Sequence, residues 1–482
     1  MEAQPANAVA AEPTSRMVVD RHRPIYHFTA PSHWINDPNG LGYYNGRYHL
    51  YYQYNPDQAK WGNIHWGHTS SADLVHWRDE PIALTPSPGH DAGGCFSGSF
   101  ALVGGVPTIY YTGYTPERQV QCIATSRDMQ TWTKQPQHTI VSRPDGIDAH
   151  DFRDPYVFFH DDWWYMVIGA SPGHERGQCL LYRSVDGLDW HYRRPLFTSP
   201  DLTLGVMWEC PNFFPIGDRW ILTVSLWQGL GAHWFVGRFE NEAFIAEGDG
   251  VLDVDAGSFA HLAMRAPDGR TLQWGWINEQ REQDEIDAAG WAGAMSVPRE
   301  LSIDADNRLN LRPVKELERL RQGHAPLTST GEKKGELHRF AGRHLDIEAN
   351  FTLRDRQKVG LTLLMAEDGS ELTRIVFWPD ARRLFIERSR ASSNPKTRRQ
   401  DVWGTLILRD DEPLCLRVLL DGSALEVYAN DRLCLTTRIY PEKETSTIGS
   451  VFVDGDADVA LNVWTMGSLF SESRPIGSDS AP

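Results

Sequence analysis

Apolar and aromatic runs, each opened by a tight polar turn, return along the first three hundred residues at a nearly constant interval. They are Asn45–Tyr52, Gly104–Tyr111, Asp161–Ile168, Gly217–Val224 and Asp268–Gly275. Counted at the second turn residue (46, 105, 162, 218 and 269), the spacings are 59, 57, 56 and 51. A second pattern keeps the same period. Ser71-x-Asp73-x3-Trp77, Ser126-x-Asp128-x3-Trp132 and Ser184-x-Asp186-x3-Trp190 lie 55 and 58 residues apart. The runs are short, rich in β-branched and aromatic residues, and bounded by Gly, Asp, Asn or Pro, so they predict strands joined by turns. Several strands per unit in the fifties predict propeller blades, and five copies predict five.

The texture changes after Leu311. Pro313 to Arg321, with Pro at a first turn and Leu317 and Leu320 three apart, predicts a short helix. Alternating strands with Asp-Gly and Asn-Asp turns follow, such as Leu414–Val418 and Ala424–Tyr428 around Asp421-Gly422. The fold expected is all-β, a five-bladed β-propeller followed by a C-terminal antiparallel β-sandwich. Its segments are a disordered 1–20, a catalytic propeller 21–311, a helical linker 312–322, a sandwich 323–470 and a flexible tail 471–482. The basic stretch 388–402 is expected to be a solvated hairpin tip. A length of 482 residues suits two cores better than one.

Composition mainly excludes. A net charge of −17 with no long basic run argues against nucleic acid and anionic membrane. No stretch of about twenty apolar residues is present to span a bilayer. The six cysteines show no zinc spacing, and Cys415 and Cys434 could meet across strands. With no cationic start and apolar segment at the N-terminus, a reduced cytoplasmic chain is expected, monomer or homodimer, with no cofactor or metal.

Candidate chemistry lies in three acidic motifs. Asp37 falls nine residues before marker 46, Asp154 eight before 162, and Glu209 nine before 218. The equivalents in blades two and five are Phe96 and Ala260, so this is no blade-wide capping device. The first strand of a blade lines the central channel, so the three carboxylates are expected to meet there. Glycoside cleavage needs one carboxylic acid to protonate the leaving oxygen and a second carboxylate to attack or activate water. Glu209, in an apolar Trp-Glu-Cys-Pro context, suits the raised acid. Asp37, amid turn residues with backbone N–H groups, suits the ionised nucleophile. Asp154 is expected to stay charged beside Arg153.

These residues carry a resemblance. Trp34-Ile35-Asn36-Asp37-Pro38-Asn39-Gly40, Arg153-Asp154-Pro155 and Glu209-Cys210-Pro211 resemble the signature blocks of the β-fructosidases and invertases, glycoside hydrolase family 32. Tyr52–Pro56, Trp61-Gly62, His65–His68, Phe96–Ser99, Trp291-Ala292-Gly293 and Pro298-Arg299-Glu300 extend it in order. The resemblance implies retaining double displacement at a β-fructofuranoside; with no export signal in view, sucrose, with short fructans beside it, is favoured over polymeric inulin or levan. Asp37 would be nucleophile and Glu209 acid/base, while Asp154 would hold fructose hydroxyls. Asn36, Gln53, Trp61, Phe96, Ser97, Arg153 and Trp276 would form the fructose-binding shell. The alternatives are a fructosyltransferase or exo-inulinase/levanase of the same family, an inverting α-arabinofuranosidase, and a non-catalytic sugar-binding propeller.

Overall fold

The structure, a computed structural model, describes residues 20–138, 143–227, 231–254 and 257–470. The expected disorder of 1–19 and the flexible tail 471–482 lie outside them. Asp20, counted with the first of these, is held in place: Arg281 Nη1 and Trp291 Nε1 both donate to its Oδ2, at 3.1 and 2.9 Å.

Five antiparallel sheets stand around one axis. Their first strands are His33–Tyr44, Gly94–Val103, Ile147–His160, Trp208–Ile216 and Ser258–Arg265, each paired to a second strand that carries one of the repeated runs. The first four blades continue outward in chain order; blade five takes its outer strands, Arg299–Ile303 and Leu309–Pro313, from beyond a short helix, Gln283–Ala289. The ring closes where Trp291–Ala292 pairs in parallel with His33 and Trp34.

The Ser-x-Asp-x3-Trp pattern staples neighbouring blades. Each Asp accepts backbone N–H groups of the next turn: Asp73 from Val75 and His76, Asp128 from Gln130 and Thr131, Asp186 from Leu188 and Asp189. The turn delivers the Trp edge-on to an aromatic ring on the second strand of the preceding blade. Trp132 meets Tyr51 at 5.8 Å and Trp190 meets Tyr110 at 5.7 Å; Trp77 meets Trp274 of blade five at 6.2 Å, across the closure. Such edge-to-face pairs contribute about 1 kcal/mol each beyond their burial.

Beyond blade five the expected helix is a 3-10 turn, Lys315–Leu320. Pro313 ends the last strand of that blade, and only two residues, Leu317 and Leu320, are buried across the turn, too few for an α-helix to form alone. The second unit is an antiparallel β-sandwich whose long strands Arg321–Ala341 and Ile448–Met466 pair with one another. Its apolar core is separate from those of the blades. Cys415 and Cys434 do not meet, because strand Ala424–Ala429 runs between theirs, and both are free thiols.

The two units share a buried polar seam. His27 places Nδ1 2.9 Å from Asp421 and Nε2 3.0 Å from Glu426. Arg299 of blade five donates to Glu426 at 2.6 Å and Asp253 at 3.0 Å. The backbone N–H groups of Ile25, Tyr26 and His27 also point at Asp421. All five side chains are excluded from solvent. The basic stretch 388–402 joins this interface instead of standing free. Arg388 is buried against Gln280 and the Arg438 carbonyl, and Thr397 bridges to Arg281. Its other cations stay near the rim, as with Lys396 on Asp284.

Candidate active site

Every first strand carries a bulge near the channel, with two residues facing one. The pairs are Asn36-Asp37, Phe96-Ser97, Asp154-Pro155, Cys210-Pro211 and Ala260-His261. A bulge sharpens the local twist and re-aims side chains, here around the channel. Asp154, Cys210 and Ala260 open theirs at φ values of 66°, 46° and 52°, a conformation that tertiary contacts must hold in place. The acids do not occupy one register. Asp37 is the second bulge residue of its strand, Asp154 the first, and Glu209 precedes the bulge. The offset from the turn conceals this, since it counts along the strand and not across the ladder.

The three acids nonetheless converge. Cys210 links two of them, its Sγ 3.6 Å from Asp37 Oδ2 and 3.6 Å from Asp154 Oδ2, while its N–H donates to Asp154 Oδ2 at 2.9 Å. Glu209 Oε1 accepts from Arg153 Nε at 2.9 Å. Asp37 sits in a cradle of side chains, not turn amides. Ser97 Oγ donates to its Oδ2 at 2.5 Å, Gln53 Nε2 to the same oxygen at 3.3 Å, and Asn36 Nδ2 to Oδ1 at 3.0 Å. Asn36 and Gln53 bond each other at 2.7 Å, and Trp34 Nε1 fixes the Asn36 carbonyl at 2.8 Å.

Aromatic rings form the walls. Trp61, 52% exposed, meets Phe96 edge-on at 5.9 Å, and Phe96 stacks on Tyr114 at 4.6 Å. Trp276 meets Trp34 edge-on at 5.7 Å, and its buried Nε1 has no hydrogen-bond partner among the described residues. Gly293 leaves that Nε1 room: a Cβ there would lie 2.9 Å from it and 2.1 Å from the Ile35 carbonyl. Asn36, Gln53 and Ser97 thus surround Asp37, Trp276 joins them through Trp34, Arg153 holds Glu209, and Trp61 meets Phe96, the neighbour of Ser97 in sequence.

Burial dominates the electrostatics. It raises the carboxyl of Asp37 against the pull of the Ser97 and Asn36 hydrogen bonds. It lifts Asp154 to about 7, despite the Arg153 charge and with help from Glu209 and Asp37. The expectation that Arg153 would keep Asp154 charged is therefore corrected, because burial outweighs the pull of the guanidinium. Glu209 is raised as well, by burial first, with Arg153 opposing and Asp37 assisting. Burial, with repulsion between the acids, thus holds all three above the usual carboxylate range. That is the condition for one of them to give a proton.

The residue pattern has close parallels. The family model "Glycosyl hydrolases family 32 N-terminal domain" matches residues 27–313, and "Glycosyl hydrolases family 32 C terminal" matches 316–465. The chain belongs to glycoside hydrolase family 32. It is an enzyme of the β-fructofuranosidase and invertase family. A sucrose-6-phosphate hydrolase of Escherichia coli is 35% identical over 87% of this chain and 90% of that protein. A raffinose invertase of Escherichia coli is 34% identical over 90% and 93%. The crystal structure of fructan 1-exohydrolase IIa from Cichorium intybus superposes with a TM-score of 0.85 at 27% identity, covering 93% of this chain and 98% of that one.

Sequence reasoning missed several members of this family 32 site. Cys210 lies inside the Glu209-Cys210-Pro211 motif, but nothing in the sequence places its thiol between Asp37 and Asp154. Tyr114 and Asp151 reach the site from positions where no motif pointed. Thr112, opposite the blade-two bulge, accepts the Asp154 N–H at 2.8 Å, a contact between blades that no local pattern encodes.

Proposed function

We propose that the protein is a β-fructofuranosidase that releases the terminal, non-reducing β-fructose of sucrose by a retaining double displacement. The observation that carries this reading is the bonding around Asp37. Its side-chain cradle aims a carboxylate into the channel, while Glu209, on another strand, keeps a separate partner in Arg153. In the first step Glu209 gives its proton to the glycosidic oxygen as Asp37 attacks the fructosyl anomeric carbon, expelling the aglycone. In the second, Glu209 takes a proton from water, which attacks the same carbon, frees Asp37 and yields β-fructose. Asp154 would grip ring hydroxyls as charge develops. Asn36, Gln53, Ser97, Arg153, Phe96, Trp61 and Trp276 would orient the sugar.

The similarity to a sucrose-6-phosphate hydrolase makes the phosphorylated disaccharide the rival to measure.

Asp37→Ala and Glu209→Ala should each lower sucrose turnover by about 10⁴-fold or more. Fructose should first emerge as the β-anomer when followed by NMR. Full activity in either variant, or an inverted product, contradicts the mechanism. Comparing kcat/KM on sucrose, sucrose-6-phosphate, 1-kestose and inulin tests the substrate, and a preference for any of the last three overturns sucrose.

A further inference from the structure

The acid/base has a second carboxylate behind its arginine. Asp151 lies two residues before Arg153 in Ile147–His160, and its Oδ1 is 3.5 Å from Arg153 Nη1. The same Nη1 donates to the His150 carbonyl at 2.6 Å and to Gln119 Oε1 at 3.3 Å, while Nε donates to Glu209. Two carboxylates therefore flank one guanidinium. On its solvent side Asp151 is met by His174 of the following turn, with Nδ1 2.9 Å from Asp151 Oδ2 and Nε2 3.6 Å from Asp148 Oδ2. The series His174, Asp151, Arg153, Glu209 runs from the rim, where the His174 side chain is 60% exposed, to the acid, whose side chain is 19% exposed.

We propose that Asp151 is a positioning residue for the acid/base: it anchors the far edge of Arg153 and offsets the hold of that cation on Glu209. The inference rests on the fructosidase reading above. A proton donor bonded to an arginine is a poor donor, since the cation favours the anion. A second anion on the guanidinium weakens that preference without removing the bond that orients the carboxyl. The charged and titratable groups facing Glu209 are Arg153 and Asp151 of blade three, Asp154 of the same strand, Asp37 of blade one and its own neighbour Cys210. His174 and Asp148 stand behind Asp151. Of these, Arg153 pulls the Glu209 carboxyl down, while Asp37 and Asp151 add to the upward push of burial.

The test is the pH profile of kcat/KM for sucrose in Asp151→Asn, with Asp151→Ser as a second charge-removing variant and Asp151→Glu as rescue. The basic limb reports loss of the Glu209 proton in the free enzyme. Removing the Asp151 charge should move that limb to lower pH by about one unit, the scale of one neighbouring charge at an effective dielectric near 20. Melting temperature and KM should change little, and Asp151→Glu should restore the limb. A uniform loss of rate at every pH, or a shift to higher pH, overturns the proposal. A wild-type enzyme without turnover on any fructoside overturns the functional reading itself, a separate result.

Discussion

His27 should make the stability of this enzyme fall on the alkaline side of neutrality. Both ring nitrogens face buried carboxylates, so the ring must carry two protons to donate twice, and its pKa is raised to about 8. Burial opposes this, but the hydrogen bonds and charges of Asp421 and Glu426 outweigh it. The folded value lies above the unfolded one of about 6.5, so the contribution is full below pH 6.5 and lost as pH rises through 8. The shift of 1.5 units, 8 less 6.5, is worth about 2 kcal/mol in full, of which about 1 kcal/mol should disappear between pH 7 and 8.5. Asp421 and Glu426 are held below the usual carboxylate range, so they do not titrate in that window. The buried His22, His49, His68 and His261 are shifted down and stay neutral there. Urea unfolding of wild type and His27→Gln at the two pH values measures the difference. The variant should lose about 3–5 kcal/mol at pH 7, because two buried carboxylates lose their shared cation. Its further loss on going to pH 8.5 should be smaller than that of wild type. Equal pH dependence in the two proteins would refute the argument.

Two further outcomes follow from packing. Trp77→Ala removes the staple across the propeller closure and a buried indole, so it should cost about 3–5 kcal/mol in thermal or urea unfolding. Gly293→Ala places a Cβ 2.1 Å from the Ile35 carbonyl at a φ of +81°, which must push the strand of Asp37 or the Trp276 ring. Its kcat/KM on sucrose should fall by roughly 10²-fold, as small misplacements at an active site do.

The repeat made the architecture legible because each blade is a local object. Its turn, apolar run and Ser-x-Asp-x3-Trp pattern act within about sixty residues, and periodicity exposes them. The motifs also drew attention to the three acids, and Asp37, Asp154 and Glu209 do come together. What sequence could not show depends on contacts between distant segments. Asp421 reads as half of an Asp-Gly turn, yet it collects His27 and three backbone N–H groups from nearly four hundred residues away. Arg388 reads as part of a charged hairpin tip, but a partner on the propeller lets it be buried. The raised carboxyl of Asp154 is of the same kind. Its neighbour in sequence is a cation, but burial among two other acids decides its charge, and burial belongs to the assembled blades. Strand, turn and motif are thus determined by the chain itself. Which charges are desolvated, and by what, is decided only where the blades and the sandwich close on one another.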